Sequence, residues 1–187
     1  MPLEASDIRD LMYPPSGYSV TIEFSYLESQ IERNLRYGLD LNPEFQRQHV
    51  WTEAQRVAYL EHILTGGETG KDILLGDTGE PGIDGKSPNF VIIDGRNRLA
   101  AIRAFVAGEI RVFAGRGGRA EGWKWDELGI SLRRSHIASV RWSIVRASSL
   151  SNLVALYLKF NEGGTPHAAA DLDRARAIRE RLAREGK

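Results

Sequence analysis

Residues 90–99, with the sequence FVIIDGRNRL, join an apolar run directly to a polar segment that has helical spacing. The apolar run favours a buried strand, the Asp-Gly pair favours a tight turn, and the next residues fit the start of a helix. The amide N–H groups of such a junction attract anions. Arginine can grip phosphate through paired hydrogen bonds, and a carboxylate at the turn can hold a metal ion or a proton in transit. The sequence therefore predicts a strand, a helix and a candidate phosphate site in this short stretch.

The same residues also allow a purely structural interpretation. Asp-Gly pairs are common in turns, and an arginine at the start of a helix is often only solvated. Arg98 follows Asp94 by four positions, so a helix that begins early would let the two side chains form an ion pair. The phosphate site is a hypothesis that the rest of the chain has to support.

The chain has 187 residues, enough to bury a sizeable core, and we expect one domain over residues 1–187. Within it we expect a flexible N-terminal arm at residues 1–15 and a helical C-terminal part at residues 147–187. Cysteine is absent, which excludes disulfides and thiolate chemistry. No apolar run reaches the ~20 residues of a membrane span, and the acidic N-terminus does not resemble a signal peptide. These features predict a cytoplasmic protein without a membrane partner, in the host cytoplasm if a phage encodes it.

The formal net charge of zero conceals an uneven distribution of charge. Residues 1–102 hold 9 basic against 16 acidic residues, whereas residues 103–187 hold 16 basic against 9 acidic residues. A basic surface is the usual electrostatic feature of a nucleic-acid-binding face, so DNA is a candidate partner. Solvated arginines on the last helix account for part of the same asymmetry.

Hydrophobic periodicity and capping residues predict a succession of strands and helices. Thr52 with Gln55, and Ser25 with Glu28, form capping-box patterns. The regular βαβ order of a doubly wound sheet is missing, so we expect an α+β domain with a small mixed sheet surrounded by helices. Strands are expected at residues 18–24, 73–75, 90–93, 110–113 and 137–146, helices at 25–37, 52–64, 96–106, 148–160 and 168–185, and loops at 39–48, 76–88, 115–119 and 161–166.

A second polar segment places Gln46, Arg47 and His49 between the aromatic residues Phe45 and Trp51. Arg47 can bind phosphate or a carboxylate, Gln46 can hydrogen-bond a base or a ribose, and Trp51 can stack on a base. The alternative is that the aromatic rings anchor the loop in the core and Arg47 pairs with an acidic neighbour. We favour anchoring for Trp51, because tryptophan is highly buried on average, but not for Arg47.

A third segment contains Asn161, Gly163, Gly164 and Thr165. The backbone N–H groups of two adjacent glycines can form a concave anion-binding nest. In the alternative interpretation one glycine ends a helix and Thr165 caps the next helix. A cap at this position does not exclude a ligand at the same helix N-terminus.

Several common site patterns are missing from the sequence. The four histidines show no metal-ligand spacing, and neither H-E-x-x-H nor G-x-S-x-G occurs. The P-loop pattern G-x-x-x-x-G-K-S/T and the Asp-x-Asp-x-Asp-Gly calcium pattern are also missing. The chain is therefore not a P-loop enzyme, and none of these motifs assigns it a metal or nucleophile site.

Taken together and in this order, the segments resemble the N-terminal domain of the GmrSD-type modification-dependent restriction enzymes, within the ParB/sulfiredoxin-like superfamily. That family has an aromatic-Gln-Arg segment leading to a Trp and a helix, a Gly-x-Ile-x-Leu-like strand, an Asp-Gly-Gln-Gln-Arg turn and a late Asn-x-Gly-Gly loop. The resemblance runs from about residue 39 to about residue 176. The matching residues are Phe45-Gln-Arg47 with Trp51, Gly70-Lys-Asp-Ile-Leu-Leu75, Asp94-Gly-Arg-Asn-Arg98 and Asn161-Glu-Gly-Gly-Thr165.

The resemblance implies a ParB/sulfiredoxin-like fold and a site that binds a nucleoside triphosphate with Mg²⁺, whose hydrolysis controls an attached nuclease. Superfamily relatives include CTP-hydrolysing partition proteins, sulfiredoxin and a free-serine kinase, and some ParB-like domains are described as nucleases. By this resemblance Asp94, Arg98 and Arg47 are the expected catalytic residues, and Asp94 is the expected Mg²⁺ ligand. The expected nucleotide- and phosphate-binding residues are Gln46, Gly95, Arg96, Asn97, Asn161, Gly163, Gly164 and Thr165.

Two departures from the family pattern matter. Arg96 and Asn97 replace the usual Gln-Gln pair, which can alter hydrolysis or base choice, or strengthen contact with phosphate or the DNA backbone. The given sequence also ends shortly after the last helix, without the His-Asn-His nuclease domain of larger relatives. We expect a stand-alone protein of this kind to recruit a partner, such as a nuclease or another protein, to act on its own, or to regulate another protein.

Three functional hypotheses follow. The leading one is a nucleotide-binding protein with Mg²⁺-dependent nucleotide hydrolysis or phosphoryl transfer, in restriction, anti-restriction or DNA modification as in bacterial or phage defence. The second is a ParB-like DNA-binding protein or nickase, supported by the basic second half. The third is a catalytically silent adaptor that binds a protein partner, suggested by the replaced Gln-Gln pair.

Overall fold

The structure is a computed structural model that describes residues 17–46, 51–79, 85–87, 89–162 and 169–186. The predicted arm at residues 1–15 lies outside these described residues. Most of the predicted helices and strands lie within them. Every structural statement below refers to this part of the chain.

The described residues form five strands and six α-helices in the order of an α+β domain. None of these helices combines the length and apolar character needed to cross a lipid bilayer. The strands are β1 (Gly17–Glu23), β2 (Leu39–Asp40), β3 (Asp72–Asp77), β4 (Phe90–Asp94) and β5 (Ser139–Arg146). The helices are α1 (Phe24–Arg36), α2 (Glu53–Leu64), α3 (Arg96–Val106), α4 (Ile130–Arg133), α5 (Leu150–Glu162) and α6 (Ala169–Glu185).

All five strands belong to one mixed sheet with the order β1-β5-β3-β4-β2. The β1–β5 and β3–β4 pairs are antiparallel, whereas β5–β3 and β4–β2 are parallel. The predicted α+β class with a small mixed sheet is therefore confirmed. The end of β4 and the start of β3 come together at one edge of this sheet, since Asp94 pairs with Leu74.

Helices cover the sheet on both faces. Phe90 and Ile92 of β4 belong to the core cluster that includes helices α1, α2 and α3. Val91 and Ile93, which alternate with them, belong to the cluster that includes α5 and α6. This two-sided burial explains why β4 is a continuous apolar run and not an alternating one.

The two predicted capping boxes have different outcomes. Thr52 and Gln55 form theirs: Gln55 N donates to Thr52 Oγ1 at 3.3 Å, and Thr52 N donates to Gln55 Oε1 at 2.9 Å. The box at Ser25 is wrong, because α1 begins one residue earlier, at the buried Phe24. Glu28 instead accepts two hydrogen bonds from Arg103 of α3, at 2.7 and 2.9 Å.

Other predicted boundaries also change. The expected loop at residues 39–48 contains β2, which pairs with β4. The expected strand at residues 110–113 is reduced to a single bridge between Val112 and Trp123. The expected loop from residue 76 begins two residues later, because β3 continues to Asp77. Each change adds or removes pairing with a distant segment, which local pattern does not report.

Replacement of Thr52 by alanine tests the capping assignment. We expect Thr52→Ala to lower the free energy of unfolding by about 1 kcal/mol, because the cap oxygen that serves the Gln55 amide is lost. Ser25→Ala is the matched control and should cost less than about 0.5 kcal/mol, since no side-chain cap forms at α1. Chemical denaturation of both variants measures the difference. Equal losses would contradict the assignment.

Candidate functional site

Gly95 links β4 to α3 and packs against the start of β3. Its backbone is left-handed, with φ of +94°. A Cβ atom here would lie 2.8 Å from Ile73 Cδ1, 3.0 Å from the Asp72 carbonyl oxygen and 3.1 Å from Ile73 Cα. Only glycine therefore fits the turn. The close backbone approach that the sequence predicted at Gly95 is an approach to β3, while contact with a phosphate there stays a prediction.

Asp94 and Arg98 form the ion pair of the structural interpretation. Arg98 Nη1 lies 3.1 Å from Asp94 Oδ2 and donates to the backbone carbonyl of Asp72 at 2.7 Å. The Arg98 side chain is 24% exposed and that of Asp94 is 35% exposed. The guanidinium therefore ties the end of β4 to the start of β3, while the carboxylate stays accessible at the surface.

Tyr59 of α2 and Trp51, which lies just before that helix, support this junction. The Tyr59 hydroxyl donates to the Gly70 carbonyl at 3.1 Å. Burial raises the pKa of the Tyr59 phenol, and the nearby positive charge of Arg98 opposes this effect only in part. The Trp51 ring packs on the Tyr59 ring with 5.4 Å between centroids. Trp51 thus contacts the core, as the anchoring interpretation predicted.

Gln46 is joined to β4 by its side-chain amide. Its Nε2 donates to the carbonyls of Ile92 at 2.5 Å and Ile93 at 3.0 Å, and the residue is 8% exposed. The register between β3 and β4 shifts here, which leaves Ile93 between two successive strand pairs. Gln46 therefore satisfies carbonyl groups at an irregularity of the sheet. Its N–H groups are engaged within the protein, and a contact between its carbonyl oxygen and a base or ribose stays a prediction.

The third segment reaches the same region through α5. The Phe45 ring packs on Tyr157 of α5 with 5.3 Å between centroids. Asn161 lies one turn further and donates to the Tyr157 carbonyl at 2.7 Å. Asn161 was expected in a loop, but it belongs to the last turn of α5 because that helix continues to Glu162. Gly163, Gly164 and Thr165 lie outside the described residues, so the anion nest stays a prediction.

Arg96 opens α3 and binds the loop that leads into the second segment. Its guanidinium donates to the side-chain oxygen of Asn42, and both Arg96 and Asn97 are half-buried with further contacts. The backbone carbonyl of Gln46 accepts a hydrogen bond from Arg174 of α6 at 2.7 Å. Arg47, the third expected catalytic residue, lies outside the described residues, as does His49. The structure thus brings the described parts of the three predicted segments together around the carboxyl end of β4.

Asp94, the expected Mg²⁺ ligand, does not belong to a preformed metal-binding cluster within the described residues. No group of three or more histidine, aspartate or glutamate side chains in the described residues is arranged to hold a metal ion. Mg²⁺ is commonly bound through one or two carboxylates together with substrate phosphates and water. Asp94, with its partly exposed carboxylate, fits that mode and not an all-protein metal cage.

The arginines of the basic second half are partly engaged within the protein. Arg176 pairs with Asp173 at 2.9 Å, and Arg181 pairs with Glu44. Arg119 lies 4.7 Å from the centre of the Trp123 ring and pairs with Glu127 at 3.0 Å. The surface charge available to DNA is therefore smaller than the residue count indicates, and DNA binding stays a prediction.

A cavity of about 910 Å³ lies away from this region, between α2 and residues 113–129. Phe113 adopts a left-handed backbone with φ of +58°, and its N–H donates to Glu61 Oε1 at 2.6 Å. The cavity shares no residue with the predicted site. Sequence reasoning missed it because its walls come from segments about fifty residues apart. Its lining residues are Ala58, Glu61, His62, Thr65, Phe113, Ala114, Arg116, Trp123, Glu127, Leu128 and Gly129.

Comparison with known proteins adds no relative to this picture. No protein-family model, curated protein or solved structure matches the chain. The function of the chain is therefore inferred from the contacts, burial and charges of its described residues.

Substitution of Gly95 by alanine tests the packing of the turn. We expect Gly95→Ala to lower the free energy of unfolding by roughly 1–3 kcal/mol in addition to the cost of the strained backbone. Two of the three close contacts are backbone atoms that cannot move aside. Gly115→Ala is the matched control, with φ of +77° and open space around the added methyl group, and should cost about 1 kcal/mol. Thermal and chemical unfolding give both values. The packing argument fails if the two losses agree.

Substitution of Gln46 by methionine tests its structural role. The carbonyls of Ile92 and Ile93 would lose their shared donor, so we expect the free energy of unfolding to fall by about 1–3 kcal/mol. Gln30→Met, on the half-exposed side of α1, should change it by less than about 0.5 kcal/mol. Urea denaturation compares the variants. A loss at Gln46 no larger than at Gln30 would contradict the role.

Proposed function

We propose that the chain binds the phosphates of a nucleoside triphosphate at the carboxyl end of β4 and supports Mg²⁺-dependent hydrolysis or phosphoryl transfer. The observation that carries the proposal is that three separate parts of the chain come together in the fold. Residues 42–46, the Asp94–Arg98 turn and α5 meet at one end of β4 although they are far apart in sequence. The resemblance to GmrSD-type N-terminal domains supports the same location.

Arg98 retains donors for a phosphate in spite of its structural contacts. Both contacts, to Asp94 and to the Asp72 carbonyl, use Nη1. Among the described residues, no hydrogen-bond partner is found for Nε and Nη2 of this guanidinium. These two nitrogens form one edge of the planar group and suit bidentate binding of phosphate oxygens. The ion pair holds this edge in place before a ligand arrives, which favours electrostatic stabilisation of a transition state.

Asp94 supplies the carboxylate of the proposed reaction. It would hold Mg²⁺ or accept the proton of the attacking hydroxyl group or water. Bound Mg²⁺ supplies neutralisation of charge on the phosphate oxygens. Arg98 fixes the position of the carboxylate through their ion pair. In the proposal both groups would contact the same phosphate. Arg47 is proposed to add a further positive charge.

Arg96 distinguishes this chain from the family pattern. It is tied to Asn42 at the start of α3, which holds a guanidinium beside the proposed phosphates where the family has glutamine. We infer stronger phosphate binding from this change. A nuclease or another protein partner belongs to the proposal as the element that the nucleotide controls.

Nucleotide turnover tests the proposal directly. We expect release of phosphate from at least one of the four ribonucleoside triphosphates with Mg²⁺, measured with and without DNA. Asp94→Asn should lower turnover at least about 100-fold, because a positioned acid–base or metal-binding group is removed. Asp126→Asn, an exposed aspartate distant in sequence from the turn, should leave turnover unchanged.

Binding is measured separately from turnover by calorimetry. Asp94→Asn should still bind nucleotide, and thermal unfolding shows whether its ion pair with Arg98 is needed for the fold. The proposal fails if the wild-type protein neither binds nor hydrolyses any nucleotide. It also fails if a folded Asp94→Asn variant equals the wild type in both assays.

A further inference from the structure

Lys71 is a charged side chain buried at the start of β3. The residue is only 5% exposed. A buried ammonium group is costly unless it is paired, and lysine is rarely so buried without a partner. The partner of Lys71 is Glu68, whose Oε1 lies 2.8 Å from Nζ. The stability of the buried lysine thus depends on one carboxylate.

That carboxylate comes from an exposed loop. The Glu68 side chain is 70% exposed, although it reaches the buried ammonium group. Its loop contains Gly66 and Gly70, both with left-handed backbones, at φ of +95° and +80°. Glycines lower the steric barriers to backbone rearrangement. Glu68 therefore covers Lys71 from the solvent side, on a loop that lies outside the sheet.

A second basic residue lies beside Lys71. Arg141 of β5 donates its backbone N–H to the Lys71 carbonyl at 2.8 Å, which fixes it beside the lysine. One nitrogen of its half-exposed guanidinium, Nη1, donates to the Asp72 carboxylate at 2.8 and 3.0 Å. The pKa of Glu68 is lowered chiefly by its hydrogen bond to Lys71 and the charge of that lysine, with a smaller effect of Arg141. Lys71 and Arg141 thus place two positive charges from neighbouring segments at this loop.

We propose that Lys71 and Arg141 form a binding site for a terminal phosphate group, a site that the Glu68 carboxylate fills. A phosphate dianion carries more charge and more acceptor oxygens than a carboxylate, so it can displace Glu68 and pair with the same donors. A phosphodiester carries an organic substituent on two of its four oxygens, which makes it bulkier than free phosphate or a phosphomonoester. Because Lys71 is recessed, the site favours the two smaller groups.

This site is distinct from the proposed nucleotide site. It uses side chains before β3 and on β5, whereas the nucleotide site uses Asp94 and Arg98 at the end of β4. The loop nevertheless lies beside Arg98, because a Cβ atom on Gly70 would be 3.8 Å from Arg98 Nε. Phosphate binding here would therefore release Glu68 next to the nucleotide site.

Titration with inorganic phosphate tests the site. We expect weak binding by the wild-type protein and at least about tenfold tighter binding by Glu68→Gln, because the tethered competing carboxylate is removed. Glu32→Gln, an exposed glutamate on α1, should bind as the wild type does. Dimethyl phosphate should bind Glu68→Gln more weakly than inorganic phosphate. Equal phosphate affinity of wild type and Glu68→Gln would overturn the proposal.

Location is tested by NMR on the wild-type and Glu68→Gln proteins, both of which keep Lys71, and the spectra also show whether the variant is folded. Phosphate should shift the amide signals of Gly70, Lys71 and Arg141. Adding Arg141→Gln, at a half-exposed position, should weaken phosphate binding in this background. Shifts confined to residues 94–98, or unchanged affinity after Arg141→Gln, would show that the assigned site is wrong.

Discussion

The packing of Gly95 against the start of β3 is the constraint on which the candidate site depends. The left-handed turn places α3 directly after β4 and leaves no room for a side chain. Arg98 of the first helical turn then reaches both Asp94 and the Asp72 carbonyl. One backbone conformation therefore sets the position of the carboxylate, the guanidinium and the beginning of β3.

The polar groups of this region have structural as well as proposed chemical roles. Arg98 stabilises the junction through one nitrogen and presents its other edge, and Gln46 satisfies the carbonyls at the irregular point of β4. The neighbouring loop has a similar arrangement. There the ion pair between Lys71 and Glu68 resembles the contact of a lysine with an anionic ligand. Removing such groups will affect stability as well as binding, which is why matched control variants are needed to separate the two.

Capping patterns in the sequence predicted a helix start correctly where local hydrogen bonds decide it. They failed where the burial of a nearby apolar side chain favours a different helix start. Thr52 and Gln55 form a capping box because no nearby residue gains more by another arrangement. At α1 the burial of Phe24 moves the helix start, and Glu28 gains a two-bond contact with Arg103. The free energy of burying an aromatic ring exceeds that of one cap, so a tertiary contact overrides the local pattern.

The sequence by itself determined the main strands and helices, the α+β class and the Asp94–Arg98 turn, because periodicity, glycine and spacing act over a few residues. Only the tertiary structure decided which polar groups are engaged. The contact of Gln46 with β4 and the tie between Arg96 and Asn42 join residues more than forty positions apart. The cavity beside α2 and the hydrogen bond between Arg141 and Lys71 likewise join segments far apart in the chain. Such contacts depend on how the layers pack around the sheet, and no local pattern carries that information.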